Sequence, residues 1–213
     1  MNSVTQRLVP RLAAVGLMAS LIAPAAQAEV LHAADTGFVV RHERTVLAPP
    51  ETAWRMLLGH VGEWWHPDHT YSGNAESLYI EARPLGCFCE RIGTNDVVVH
   101  LTVTMLRENK LLRLTGGLGP LGLMGVDGNL TVSLLPSEDA TDIALEYRVG
   151  GYDPEGLERI APAVDGVLGE QMDRFVRFVE SGSPDDSVPE DVMPGPEMDA
   201  PADVASDAPA TEG

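Results

Sequence analysis

Basic residues are scarce in this chain, and that scarcity narrows its partners first. Lysine and arginine number 14 against 32 aspartates and glutamates, for a formal charge of −18 over 213 residues. A surface this acidic repels phosphate backbones and anionic headgroups, which argues against nucleic-acid binding and against adsorption to lipid. Long hydrophobic runs are missing as well. The longest, Leu12 to Ala23, is too short for the ~20 residues that a bilayer-spanning helix needs. No serine–histidine–aspartate order, paired-carboxylate signature or nucleotide fingerprint appears. Cysteine is limited to Cys87 and Cys89.

The two ends of the chain differ in kind from its middle. Residues 1–28 carry Arg7 and Arg11, the short apolar run, and Ala26-Gln27-Ala28. A basic head, a short apolar segment and small residues at the cleavage positions are the pattern of a secretory signal peptide, with cleavage expected after Ala28. No cysteine lies near that site, so a lipid anchor is not expected, and the mature protein should be periplasmic or secreted. Residues 181–213 hold nine acidic residues, six prolines and no basic or aromatic residue. Such a segment cannot bury enough apolar surface to offset its ordering entropy, so disorder is expected there. Residues 29–180 remain as one domain. Without the two leader arginines and the nine tail acids it keeps 12 basic and 23 acidic residues, a net of −11.

Within the domain, Phe38–Leu47 alternates as a strand, and Pro49-Pro50 opens a helix whose apolar face is Ala53, Trp54, Leu57 and Leu58. Trp64-Trp65 begins a second short helix or turn. Six strands are expected next, near 77–82, 87–92, 97–106, 111–115, 129–135 and 142–149, separated by turn-forming residues. The last element is a long amphipathic helix from Asp153 to Glu180, with Asp153 as N-cap, Pro154 at the first helical position, an apolar stripe through Leu157, Ile160, Val164, Val167, Leu168, Met172 and Phe175, and Pro162 expected to bend it or delay its regular part. The expected fold is therefore α+β. A curved antiparallel sheet of about six to seven strands wraps a long C-terminal helix, and two short helices follow the first strand. A helix laid on such a sheet leaves a wedge-shaped space suited to a ligand.

Arg44-Thr45-Val46-Leu47-Ala48-Pro49-Pro50-Glu51-Thr52-Ala53-Trp54, then Glu63-Trp64-Trp65, and the terminal helix together resemble the SRPBCC superfamily. This is the START and birch-pollen-allergen-like helix-grip group, with its polyketide-cyclase-like and heat-shock-protein-90-activator-homologue-like members. The resemblance implies a curved sheet and a long helix around an apolar pocket. It does not by itself imply an activity.

A small hydrophobic or amphipathic ligand is the expected partner: a lipid, fatty acid, isoprenoid or polyketide-like molecule. Its expected contacts are Trp54, Trp65, His69, Tyr71, Leu118, Leu121, Met124, Ile160, Val164, Val167 and Leu168. No catalytic residue, metal or cofactor is expected, and no protein partner is identified. The His66-Pro67-Asp68-His69 cluster offers two imidazoles and a carboxylate but no third and fourth ligand nearby in sequence. The alternative function is a cyclase/aromatase- or hydrolase-like enzyme, for which His42, Arg44, His69, Glu90 and Tyr147 are the residues to test. Cys87 and Cys89 point the same way from one strand. They read as buried small residues, as a bridge strained by its i, i+2 spacing, or as thiols facing the cavity. The run from Gly116 to Gly125 lacks the Gly-Lys-Ser/Thr ending of a phosphate loop. It reads either as a lid over the pocket or as a bent strand packing its leucines. Glu81, Arg83, Glu90, Arg91, His100, Tyr79, Tyr147 and Arg148 are expected on the wet face of the sheet.

Overall fold

Period-two burial sets the sheet. Along β2 (Gly37–Val46), Phe38, Val40, His42 and Val46 are buried, and along β8 (Ala140–Gly150) so are Thr141, Ile143, Leu145, Tyr147 and Val149. The two strands pair antiparallel in register, His42 opposite Leu145 and Val40 opposite Tyr147. Their buried residues therefore form one continuous inner face. The structure, a computed structural model, describes residues 29–185. The expected leader and the tail from residue 186 onward lie outside the described residues.

The remaining strands are β1 (Glu29–Ala34), β3 (Leu78–Ile80), β4 (Cys87–Arg91), β5 (Val97–Arg107), β6 (Leu111–Thr115) and β7 (Asp127–Ser137). They complete one eight-stranded sheet in the order β1-β2-β8-β7-β6-β5-β4-β3, every neighbouring pair antiparallel. β1 is the strand that sequence pattern did not reveal. It is short and Ala-rich, and its ladder with β2 shifts register between Val30 and His32.

Two helices, α1 (Pro50–Gly59) and α2 (Val61–Trp64), connect β2 to the far side of the sheet. Proline opens α1, where its missing N–H costs nothing. The long helix α3 spans Ala161–Ser181 and buries Leu168, Met172, Phe175 and Phe178. Side chains of β4 to β8 and of α3 converge on the same interior, giving the helix-grip arrangement. Trp64 meets Phe175 edge-on at 5.1 Å, and Trp65 meets Phe88 edge-on at 5.2 Å, so the α2 segment is clamped between helix and sheet.

The helix starts later than its stripe suggests. Asp153 accepts from the amide of Glu155, Gly156 takes a left-handed φ of 84°, and a 3-10 turn covers Leu157–Arg159 before α3 begins. Pro162 explains the delay: without an N–H it fits only the first turn of a regular helix. At the other end Gly182, at φ 80°, donates to Phe178 O and caps α3. Beyond it, Arg174 holds Asp185 and Arg177 holds the Pro184 carbonyl, so the first residues after the helix fold back along it.

Candidate functional site

Where the N-terminal half of α3 diverges from β4 and β5, a cavity of about 360 Å³ remains. Ile160, Ala163, Val164, Val167 and Leu168 form its helical wall. Trp65 and Phe88 form its floor, Leu118 to Pro120 with Leu123 one side, and Asp68 to Tyr71 the rim. Trp65, Phe88, Leu118 and Leu168 also bound a smaller void of about 40 Å³ reaching toward Leu112, Leu130, Leu145 and Phe175. These walls are overwhelmingly apolar, and the side chains that make them come from α3, the sheet and the loops between them.

One polar pair enters this apolar setting. His100 lines the cavity, and its Nε2 lies 3.0 Å from Oε2 of Glu90, a fully buried carboxylate. Glu90 also accepts from the backbone amides of Tyr71 (3.0 Å) and Ser72 (2.5 Å). Burial works to raise the Glu90 pKa, but those donors and His100 outweigh it and hold it below the ordinary value. Burial lowers the His100 pKa, opposed only by Glu90. The pair is therefore a carboxylate and a neutral imidazole. The network assigns the imidazole proton to Nε2, which leaves Nδ1 as an acceptor without a partner among the described residues. Tyr71 stacks on the His100 ring at 5.7 Å and donates to the Gly119 carbonyl at 3.2 Å, tying the rim to the facing loop.

Both members of this pair are expected on the wet face that an antiparallel sheet usually keeps. Glu90 instead shares the inward parity of Phe88, and a bulge brings His100 in beside it: β4–β5 pairing passes from Phe88–Leu101 to Cys89–Val99 and leaves His100 unopposed. Phe88 and Glu90 face inward, while Cys87 and Cys89 share the other parity. The two cysteines are bonded to each other, with Cα atoms 5.4 Å apart, inside the span a disulfide reaches. The bridge expected to suffer from its spacing is thus the arrangement present. Neither thiol faces the cavity. Arg91 lies over the Tyr79 ring at 4.1 Å.

Of the expected ligand contacts, Trp65, His69, Tyr71, Leu118, Ile160, Val164, Val167 and Leu168 lie on the cavity wall. Trp54, Leu121 and Met124 do not. Trp54 belongs to the buried face of α1, with Ala53 and Leu57. Leu121 turns into the core from the 3-10 turn Gly119–Leu123, and Met124 packs half-buried behind it. The Gly116–Gly125 run is neither a free lid nor a strand. Tyr147 accepts from Leu118 N (3.0 Å) and donates to Gly116 O (2.7 Å), fastening its first residues. Burial pushes the Tyr147 pKa up to about 12, and with its hydroxyl so engaged it is a poor proton donor to a ligand.

His42 and Arg44 face α3 instead of the cavity. His42 Nε2 is 3.0 Å from Asp165 Oδ1, and Arg44 donates to Asp173 at 2.6 Å. His69 is at the rim, 2.9 Å from Glu170 of α3. Among the described residues no helix is long and apolar enough to cross a membrane.

No family model matches the chain, and no curated protein matches it. Several solved structures are similar. A conserved protein of unknown function from Enterococcus faecalis, EF2215, is 17% identical over 74% of this chain and 78% of its own, with a TM-score of 0.49. CalU16 from Micromonospora echinospora is 13% identical over 68% and 77%, with a TM-score of 0.47. The Aha1 dimer from Colwellia psychrerythraea is 15% identical over 68% and 97%, with a TM-score of 0.48.

Proposed function

We propose that this protein binds a small amphipathic molecule, its apolar body in the cavity beside α3 and a hydrogen-bond-donating head against His100. The observation that carries this is the cavity of about 360 Å³ with apolar walls and one buried Glu90–His100 pair. Pockets of a few hundred Å³ that pair apolar walls with few polar groups suit such ligands. A lipid alcohol, fatty acid, isoprenoid or polyketide-like compound has that form. A head that donates to Nδ1 is favoured, because Nε2 is committed to Glu90. Among the expected contacts, the eight on the wall are the proposed ligand contacts.

Native mass spectrometry of the mature protein, followed by titration with a fluorescent long-chain alcohol, tests the reading. Val164→Trp should fill the cavity and abolish binding while leaving the fold intact. His100→Leu should keep apolar probes but weaken a hydroxyl-headed one about tenfold, the worth of one hydrogen bond. Unchanged binding in Val164→Trp would remove the proposal.

The same pair favours a second reading, an enzyme of the cyclase or hydrolase kind. A neutral imidazole oriented by a buried carboxylate is a competent general base. His100 would carry the proton and Glu90 would hold the ring. Loss of turnover in His100→Gln with ligand binding retained would favour it over simple carriage.

We also propose that the chain is exported, cut after Ala28 and active in a periplasmic or extracellular setting. Support comes from residues 1–28 and from the Cys87–Cys89 bridge, which suits an oxidising compartment. A mature mass starting at Glu29 is the expected result; Met1 retained in a membrane fraction would contradict it.

A further inference from the structure

The rim of the cavity carries a second cluster, of which the ligand reading uses only His69. His66 and His69 bracket a 3-10 turn led by Pro67, and α3 brings Glu170 against them. One ligand atom from each of the three lies within 4.8 Å of the others. His69 Nε2 is 2.9 Å from one Glu170 oxygen, and His66 Nε2 is 3.8 Å from the other. Nitrogen and oxygen ligands at ~2.0–2.1 Å around a tetrahedral ion stand about 3.3 Å apart, so these separations bracket what one ion requires. The third ligand that the His-Pro-Asp-His sequence lacked is 101 residues from His69 along the chain.

We propose that His66, His69 and Glu170 form a site for one divalent first-row transition ion, Zn²⁺ by the chemistry of two imidazoles and a carboxylate. The frame around them is already built. Gln171, almost fully buried, accepts from the His66 amide at 2.7 Å and so pins the turn to the same helix that carries Glu170. Trp65 donates to the His69 carbonyl at 3.0 Å, and Thr70 closes the turn on Pro67 O at 2.7 Å. The three ligand side chains are each partly exposed, at 28%, 31% and 41%, so an ion can reach them from solvent.

Binding replaces the hydrogen between His69 and Glu170 with the ion. It also requires His66 to present Nε2 as a lone pair, which moves that ring's hydrogen to Nδ1. There Nδ1 exchanges its present bond from the Asp68 amide (3.2 Å) for the Asp68 carboxylate, now 4.0 Å away. A carboxylate behind a ligating imidazole is the usual way such a ring is oriented. His69 and Asp68 both line the cavity, so the ion's remaining position lies at its mouth.

The test is calorimetric titration of the chelator-stripped mature protein with Zn²⁺ in excess Mg²⁺, which occupies the general carboxylate surface. One Zn²⁺ per chain is expected, with a change in tryptophan emission from Trp65. His66→Gln, His69→Gln and Glu170→Gln should each weaken uptake at least tenfold. Glu170 is exposed enough that its variant should fold, so the result does not depend on the histidine variants alone; circular dichroism checks all three. Val164→Trp, which fills the cavity, should leave Zn²⁺ uptake unchanged, separating this site from the proposed ligand. No uptake, or equal affinity in wild type and all three variants, would overturn the proposal.

Discussion

Two buried histidines sit beside carboxylates in this fold, one on β5 and one on β2, and their surroundings differ in a telling way. Both separations are 3.0 Å. Around His100, the Glu90 carboxylate takes two backbone amides besides the ring, so both of its oxygens are used. Around His42, neither ring nitrogen nor Asp165 Oδ1 makes an aligned hydrogen bond, although all three atoms are buried. Distance is the same, but alignment and donor count are not. The β5 pair has a fixed tautomer and a fixed charge, which a ligand can address. The β2 pair lies under α3 as an incompletely satisfied contact between strand and helix, with Gly169 making room for the ring.

Removing the carboxylate of the satisfied pair should do the most damage. Glu90→Leu strands two part-buried amides and the buried His100, and we expect a loss of about 3–5 kcal/mol in urea unfolding. The matching double change at the other pair, His42→Leu with Asp165→Leu, should be neutral or mildly stabilising, because nothing well bonded is lost. Equal losses at the two pairs would erase the distinction.

Gly169 and Gly166 sharpen it within one helix. A Cβ on Gly169 would stand 2.9 Å from His42 Cε1, whereas one on Gly166 would meet nothing. Gly169→Ala should cost about 1–3 kcal/mol by overpacking. Gly166→Ala should add up to about 1 kcal/mol through helix propensity and a less flexible unfolded chain. Thermal denaturation of the two variants side by side reads both signs.

The gentlest probe is pH. Burial lowers the pKa of His42 and of His100 from 6.5. The unfolded chain then takes up protons that the folded imidazoles refuse, so stability holds above about pH 6.5 and declines as pH falls below it. Glu90, shifted below 4.5, contributes stability above that value and loses it as pH falls through its lower folded pKa. The His42→Leu/Asp165→Leu protein should show a smaller first decline and an unchanged second one in a melting-temperature profile.

Much of this architecture could be read from pattern. Strand alternation from Phe38 to Val149 and the stripe from Ile160 to Phe175 point to the sheet, the helix and the place of the wedge. Eight of eleven expected contacts lie on the cavity wall, and four of them, Ile160, Val164, Val167 and Leu168, do so because the helix stripe is a local property. The Glu90–His100 pair was not legible: a bulge on β5 turns His100 inward without a local sequence signal, and Glu90, although it shares the parity of Phe88, is a charged residue of the kind expected on the wet face. Leu121 and Met124 escape pattern for a related reason: a 3-10 turn sends neighbouring side chains in directions that neither helix nor strand period describes. The start of α3 is set by Pro162, and the stronger-looking Asp153-Pro154 signal caps only a turn.

Tyr147 has a consequence in time. Its hydroxyl grips Gly116 and Leu118, and Leu121 is sunk in the core just beyond them, so one side of the cavity is a standing wall. A molecule arriving there meets surfaces already in position. In stopped-flow mixing its observed association rate should climb in proportion to its concentration, without the plateau that a slow opening step would impose.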